Sequence, residues 1–146
     1  MEIIALIAGL FAQSIIGAAI GSLLAAIFLR IAARWMLKLD IPYGSAYVTM
    51  FLAYIAATVA GLIVAVPAGL LLGAANPDLF ESSAGDALLL LLILPVGFLA
   101  QSAVIGRRLE LPFGRACLLT LLTGVVAFLV LAVIYAVVIA VVFIAV

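Results

Sequence analysis

Histidine is absent from this 146-residue chain, cysteine occurs once, and charged residues make up only 8% of it. Each shortage removes a class of chemistry. Without His there is no Ser-His or Cys-His nucleophile pair, no imidazole metal ligand and no His-based proton relay. Cys117 stands alone, so no internal disulfide forms and the redox compartment cannot be read from it. Six basic residues balance six acidic ones, so bulk charge attracts neither nucleic acid nor an acidic substrate. Asp78, Glu81 and Asp86 come closest to a metal set, but lack the alternating spacing of a calcium loop. No catalytic set and no cofactor motif emerges, and the expectation is a non-enzyme without cofactor or metal.

What the chain has instead is apolar surface. Hydrophobic residues reach 71%, against about 45–50% in soluble domains. Such a chain cannot be covered with polar surface, so its solvent is lipid. Four stretches are free of charge: Ile3 to Leu29, Ile41 to Pro77, Ala87 to Gly106 and Ala116 to Val146. Each exceeds the roughly 18–20 residues that cross a hydrocarbon core about 30 Å thick. Backbone groups cannot go unpaired in lipid, so each becomes a helix. Strands of a membrane barrel alternate in polarity over about 10 residues, which these continuous runs do not. The reading is a single all-α integral membrane domain over 1–146, with transmembrane helices at about 3–29, 47–73, 87–106 and 116–144. The start, Met1-Glu2-Ile3, lacks the basic segment of a cleaved signal peptide, so the first run reads as a retained span.

The basic residues sort by connection. Arg30, Arg34 and Lys38 fall in the first, Arg107, Arg108 and Arg115 in the third, and none in the second. The positive-inside rule puts connections 30–46 and 106–116 in the cytoplasm. Both termini and the acidic 74–86 connection then lie outside. Five Arg against one Lys points to a GC-rich prokaryote and its cytoplasmic membrane.

Lys38-Leu39-Asp40-Ile41-Pro42-Tyr43-Gly44-Ser45-Ala46 recurs as Arg108-Leu109-Glu110-Leu111-Pro112-Phe113-Gly114-Arg115-Ala116. Both copies fall where one helix hands over to the next. The chain therefore reads as two tandem helical hairpins, about 28–66 and 98–136. In each turn the base should end the incoming helix. Pro disfavours helix at the residue before it and pre-sets the outgoing helix. The carboxylate should face that helix's positive end, and the aromatic ring should anchor at the interface.

Small residues recur every fourth position on three helices: Ala5, Gly9, Gly17, Gly21 and Ala25 on the first, interrupted by Gln13; Thr49, Ala53, Ala57, Gly61, Ala65, Gly69 and Gly73 on the second; Ala116, Thr120 and Gly124, then Ala132, Ala136 and Ala140 beyond Phe128, on the fourth. These are expected packing faces, because lipid gives helices no hydrophobic drive to associate. The third helix opens on Leu88 to Leu92 and reads as the one most exposed to lipid or to another subunit. Pro67 and Pro95 are expected kinks.

Polar groups inside the membrane are amides and hydroxyls. Gln13-Ser14 recurs as Gln101-Ser102, but the two glutamines differ in depth by about 16 Å at 1.5 Å per residue. Interhelical hydrogen bonds are the expected use of all four. Arg30, Arg34 and Lys38 share one helical face, so the first helix either runs past the membrane surface or bends to lie in it. With Arg107, Arg108 and Arg115 they are the expected contacts to anionic lipid or to a partner. The function these features favour is a non-catalytic assembly or accessory subunit of a membrane complex or homo-oligomer, partnered by lipid, by itself or by another membrane protein. The alternative is a small channel or carrier for a neutral or hydrophobic solute, lined by Ser14, Ser22, Thr49, Thr58, Thr120, Thr123, Gln13 and Gln101.

Orientation is directly testable. With Cys117 replaced by serine, cysteines at Ser82 and Ser45 should react with an impermeant thiol reagent from opposite faces, Ser82 from outside. Reaction of both from one face would overturn the topology.

Overall fold

The computed structural model describes residues 2–75 and 83–145, with side chains from Gln13 onward except those of Ser14, Ser83 and 143–145. Four long helices account for almost all of it: α1 (Glu2–Leu37), α2 (Tyr43–Ala75), α3 (Ser83–Arg108) and α4 (Phe113–Ala145). All four contain segments long and apolar enough to cross a membrane. The chain is an all-α, four-helix integral membrane protein. α1 and α3 overrun the charge-free stretches that predict them at both ends and α4 at its start, whereas α2 lies within Ile41 to Pro77. The largest overrun is at the end of α1, which continues past Arg30 to Leu37 as one unbroken helix.

The helices touch in cyclic order: α1 on α2, α2 on α3, α3 on α4, and α4 back on α1. Among the described residues neither diagonal pair approaches within 8 Å between Cα atoms. The buried core lies at the end where the first and third connections turn. Ala25, Ala26, Leu29, Ala32 and Ala33 of α1 meet Ala46, Met50 and Ala53 of α2, with Ile105 and Leu119 closing the cluster. Most of these are alanines, so the contact is of backbone on backbone, as lipid requires.

The α2–α3 interface is the most extensive. A Cβ on Gly61 would stand 3.2 Å from Ile93 Cγ2, and one on Gly97 would stand 3.8 Å from the Cβ of Ala57. The expectation that the third helix is the most exposed is therefore corrected. Its leucines do face outward, Leu90, Leu91 and Leu94 among them, but its glycine face lies close against α2. The most exposed helix is α4. Beyond Thr123 it buries nothing, and every residue from Phe128 to Val142 is exposed. Its small-residue stripe packs at Ala116 and Thr120 only; Ala132, Ala136 and Ala140 stand open. Pro67 and Pro95 sit inside helices that continue through them, both on exposed positions.

The two turns start their outgoing helices alike. The Pro42 carbonyl accepts the Ala46 N–H at 3.0 Å, and the Pro112 carbonyl accepts that of Ala116 at 3.1 Å. Each proline thus holds the cap position, its carbonyl taking the first helical bond. The incoming helices end differently. Lys38 takes a left-handed φ of 53° directly after α1, whereas after α3 the left-handed residue is Glu110, at 54°. There the Leu111 N–H reaches back to the Gly106 carbonyl at 2.9 Å, the six-to-one bond of a Schellman cap. In the first turn Leu39 N–H reaches Ala33 at 3.4 Å. Asp40 pairs with Arg30, and Glu110 is itself the turning residue; among the described residues neither carboxylate is hydrogen-bonded to the outgoing helix. Asp86 lies within the first turn of α3, where a negative charge favours the helix's positive end.

The Tyr43 hydroxyl donates to the Leu23 carbonyl at 2.9 Å. That bond puts the start of α2 beside the middle of α1, whose end at Leu37 lies about 21 Å further on at 1.5 Å per residue. The first helix therefore overhangs its partner.

The tightest contact is at Gly106, where a Cβ would meet the Ala116 Cβ at 3.0 Å and the Leu111 carbonyl oxygen at 3.3 Å; at Gly114 it would meet nothing within 4 Å. Gly106→Ala should cost about 1–3 kcal/mol, because backbone cannot give way as a side chain can. Gly114→Ala should leave stability unchanged or slightly raised. Thermal unfolding in detergent compares them, and equal shifts would refute this packing.

Candidate functional site

Because the diagonals do not meet, the ring leaves a partly open cavity of about 270 Å³ between the helices. Gly21, Leu24, Ala25 and Phe28 line it from α1, and Met50 and Tyr54 from α2. Gln101 and Ile105 contribute from α3. From α4 come Thr120, Thr123, Gly124, Ala127 and Leu131, reaching into the half where that helix loses its neighbours. No charged residue lines it. Beside it, on the α3–α4 face, runs a shallow groove whose walls include Phe98 and Phe128, and which shares Gln101, Thr120 and Gly124 with the cavity. These three residues therefore stand between the cavity and the outer face.

The four intramembrane polar residues singled out in the sequence part company here. Gln101 lines the cavity, while Gln13 is exposed well along α1; the side chain of Ser14 lies outside the described residues. Ser102 is fully buried between α3 and α4. Its hydroxyl lies 2.8 Å from the Phe98 carbonyl and 3.2 Å from Thr120 Oγ1, and Thr120 in turn donates to Ala116 at 2.8 Å. This is an interhelical hydrogen bond of the kind expected for these residues.

The hydroxyls proposed as a polar lining are mostly satisfied within their own helices. Thr49 donates to Ser45 at 2.7 Å, Thr58 to Tyr54 at 2.9 Å, Thr123 to Leu119 at 2.8 Å, and Ser22 to Ala19 at 2.9 Å. Such back-bonding to the preceding turn is the ordinary fate of Ser and Thr in helices. Of the expected lining, Gln101, Thr120 and Thr123 are those that reach the cavity among the described residues. The sequence reading missed Tyr54. A tyrosine so far inside a span, away from the interface where aromatics gather, was the available signal. Neither the Gln101 amide nor the Tyr54 hydroxyl has a hydrogen-bond partner among the described residues.

The basic residues lie at the turn end. Arg30 Nη2 stands 3.7 Å from Asp40 Oδ1, an exposed pair of small energetic value, and its Nε is buried without a partner. Ile27, Arg30, Ile31, Arg34 and Asp40 form a shallow groove on the flank of α1. Lys38 does not share that helical face as expected, because α1 ends before it and its backbone is left-handed. Arg107, Arg108 and Arg115 are exposed around the second turn. Asp78 and Glu81 lie outside the described residues, so the acidic connection is not placed.

Comparison with protein-family models, with characterised proteins and with solved structures returns no match.

If Ser102 and Thr120 pair across α3 and α4, a double-mutant cycle of Ser102→Ala and Thr120→Val should give a coupling of about 0.6 kcal/mol, the usual size within membranes. Additive losses of thermal stability would show that the two hydroxyls act independently.

Proposed function

We propose that this chain is a non-catalytic assembly or accessory subunit that packs against copies of itself or against another membrane protein. The observation that carries this reading is the far half of α4. From Phe128 to Val142 every residue is exposed, over about 22 Å at 1.5 Å per residue. It still carries Ala132, Ala136 and Ala140, spaced for close backbone approach. On α2 the small residues Ala65, Gly69 and Gly73 line another shallow groove. A four-helix bundle that used all its small faces internally would leave neither open.

The bundle sits in a prokaryotic cytoplasmic membrane with its two turns, and all six basic residues, on the cytoplasmic side. The two hairpins descend from one duplicated unit. Supporting this, Ala46, Thr49, Met50 and Ala53 are buried after the first turn, and Ala116, Leu119, Thr120 and Thr123 at the same spacing after the second. On the incoming helices Ser22, Ala25 and Ala26 hold the buried places of Ser102, Ile105 and Gly106, a shifted register that the overhang of α1 accounts for.

The second reading, a channel or carrier for a neutral or hydrophobic solute, is favoured by the central cavity. Liposomes containing only this chain separate the two. No entry of glycerol that depends on Gln13 or Gln101 is expected, and a cysteine at Ala136 should cross-link between copies or to a co-reconstituted partner. Glycerol entry abolished by Gln101→Leu would sink the subunit reading.

A further inference from the structure

The central cavity contains polar groups that no helix contact uses. Thr120 and Thr123 commit their hydroxyl protons to carbonyls of their own helix. Gln101 and Tyr54 do not, and both line the same space. Both open on a space otherwise lined mostly by apolar side chains, so an occupant that pairs with the amide while covering the apolar wall is favoured.

We propose that the cavity binds an uncharged single-chain amphiphile, of the long-chain alcohol or monoacylglycerol class, with its hydroxyl on the Gln101 amide and its alkyl chain along Gly124, Ala127 and Leu131. Three features fix the class. The first is charge: the lining contains no cation, and the nearest basic groove, at Arg30 and Arg34, is a separate surface on α1. A carboxylate or phosphate brought into this space would lose its hydration with nothing to offset it. A hydroxyl matches an amide in both directions, since each donates and each accepts. The second is size. At about 270 Å³ the cavity lies at the lower edge of the roughly 300–1,000 Å³ usual for ligand sites, which suits a single alkyl chain inside the ring.

The third feature is access. Gln101, Thr120 and Gly124 line both the cavity and the groove on the α3–α4 face, and the space where a Gly124 side chain would sit is open. An amphiphile can therefore enter sideways from the bilayer, between two helices that part company beyond Thr123. The site does not depend on which function the chain serves. Binding without translocation fits a subunit, and binding with translocation fits a carrier.

The test uses the full chain in nanodiscs and a long-chain alcohol carrying a diazirine in its tail. Photolabelling should be saturable and should map to peptides containing Gly124, Ala127 and Leu131. Unlabelled alcohol of the same length should compete at least about tenfold better than the corresponding ionised fatty acid, a comparison that needs no variant. Gln101→Leu should weaken competition by the alcohol by about tenfold, and Gly124→Leu should abolish saturable labelling by filling the space. Equal competition by alcohol and fatty acid would overturn the proposal. So would non-saturable labelling spread evenly over the exposed leucines of α3, or an affinity unmoved by Gln101→Leu in protein of unchanged thermal stability.

Discussion

An apolar side chain in lipid gains nothing by leaving its solvent, so helices here are held by how closely their backbones can approach. That single constraint explains why the core of this bundle is built of Ala25, Ala26, Ala32, Ala33, Ala46 and Ala53, and why it lies where the chain turns. Close approach needs a short link between helices, and both short links are at one end. Contact tightens again where glycines allow it, at Gly61 against Ile93 and Gly106 against Ala116. Where neither a turn nor a glycine enforces approach, the helices separate. The far half of α4 is the plainest instance. The cavity has the same origin, since four helices joined around a ring, with no contact across it, leave their middle to be filled by side chains or by something else.

The two turns show how much the chain around a motif decides its shape. Base, Leu, acid, aliphatic, Pro, aromatic and Gly follow one another in both, and both prolines cap their helices identically. Yet the left-handed residue is the base in one and the acid in the other. Neither is glycine, so each carries a backbone cost of about 1–2 kcal/mol, offset by the tertiary contacts the turn makes possible. In the first turn the chain leaves a helix that has run past its partner and must climb back beside it, anchored by Tyr43 on Leu23 and by Asp40 near Arg30. In the second it leaves a helix that stops level with its partner and closes directly through Gly106 and Leu111.

The membrane character, the number of helices and the proline-started second helix of each hairpin were legible in the residues, because they follow from charge-free length and from the restricted backbone of Pro42 and Pro112. The division of labour between Ser102 and Gln101 was not. Adjacent residues on a helix point about 100° apart, so one is buried against Thr120 and its neighbour opens on the cavity. No pattern in the local sequence says which neighbour each will meet. The exposed state of α4 escaped for a related reason. An evenly spaced row of Ala132, Ala136 and Ala140 shows that close packing is possible on that face, and only the positions of the other three helices show that none of them uses it. Tyr54 was overlooked among apolar neighbours although its depth in the span set it apart.

The length of the fourth helix carries a consequence of its own. Its 33 residues extend about 50 Å at 1.5 Å per residue, well beyond a hydrocarbon core of about 30 Å. A helix clamped along its whole length would take its tilt from its neighbours. In α4 the buried residues are confined to Ala116, Leu119, Thr120 and Thr123, and the described length beyond them carries none. The excess over the hydrocarbon thickness is taken up by tilt or by a locally thicker bilayer, and because the helix runs unbroken from Phe113 to Ala145, any tilt is shared with the end that the bundle holds.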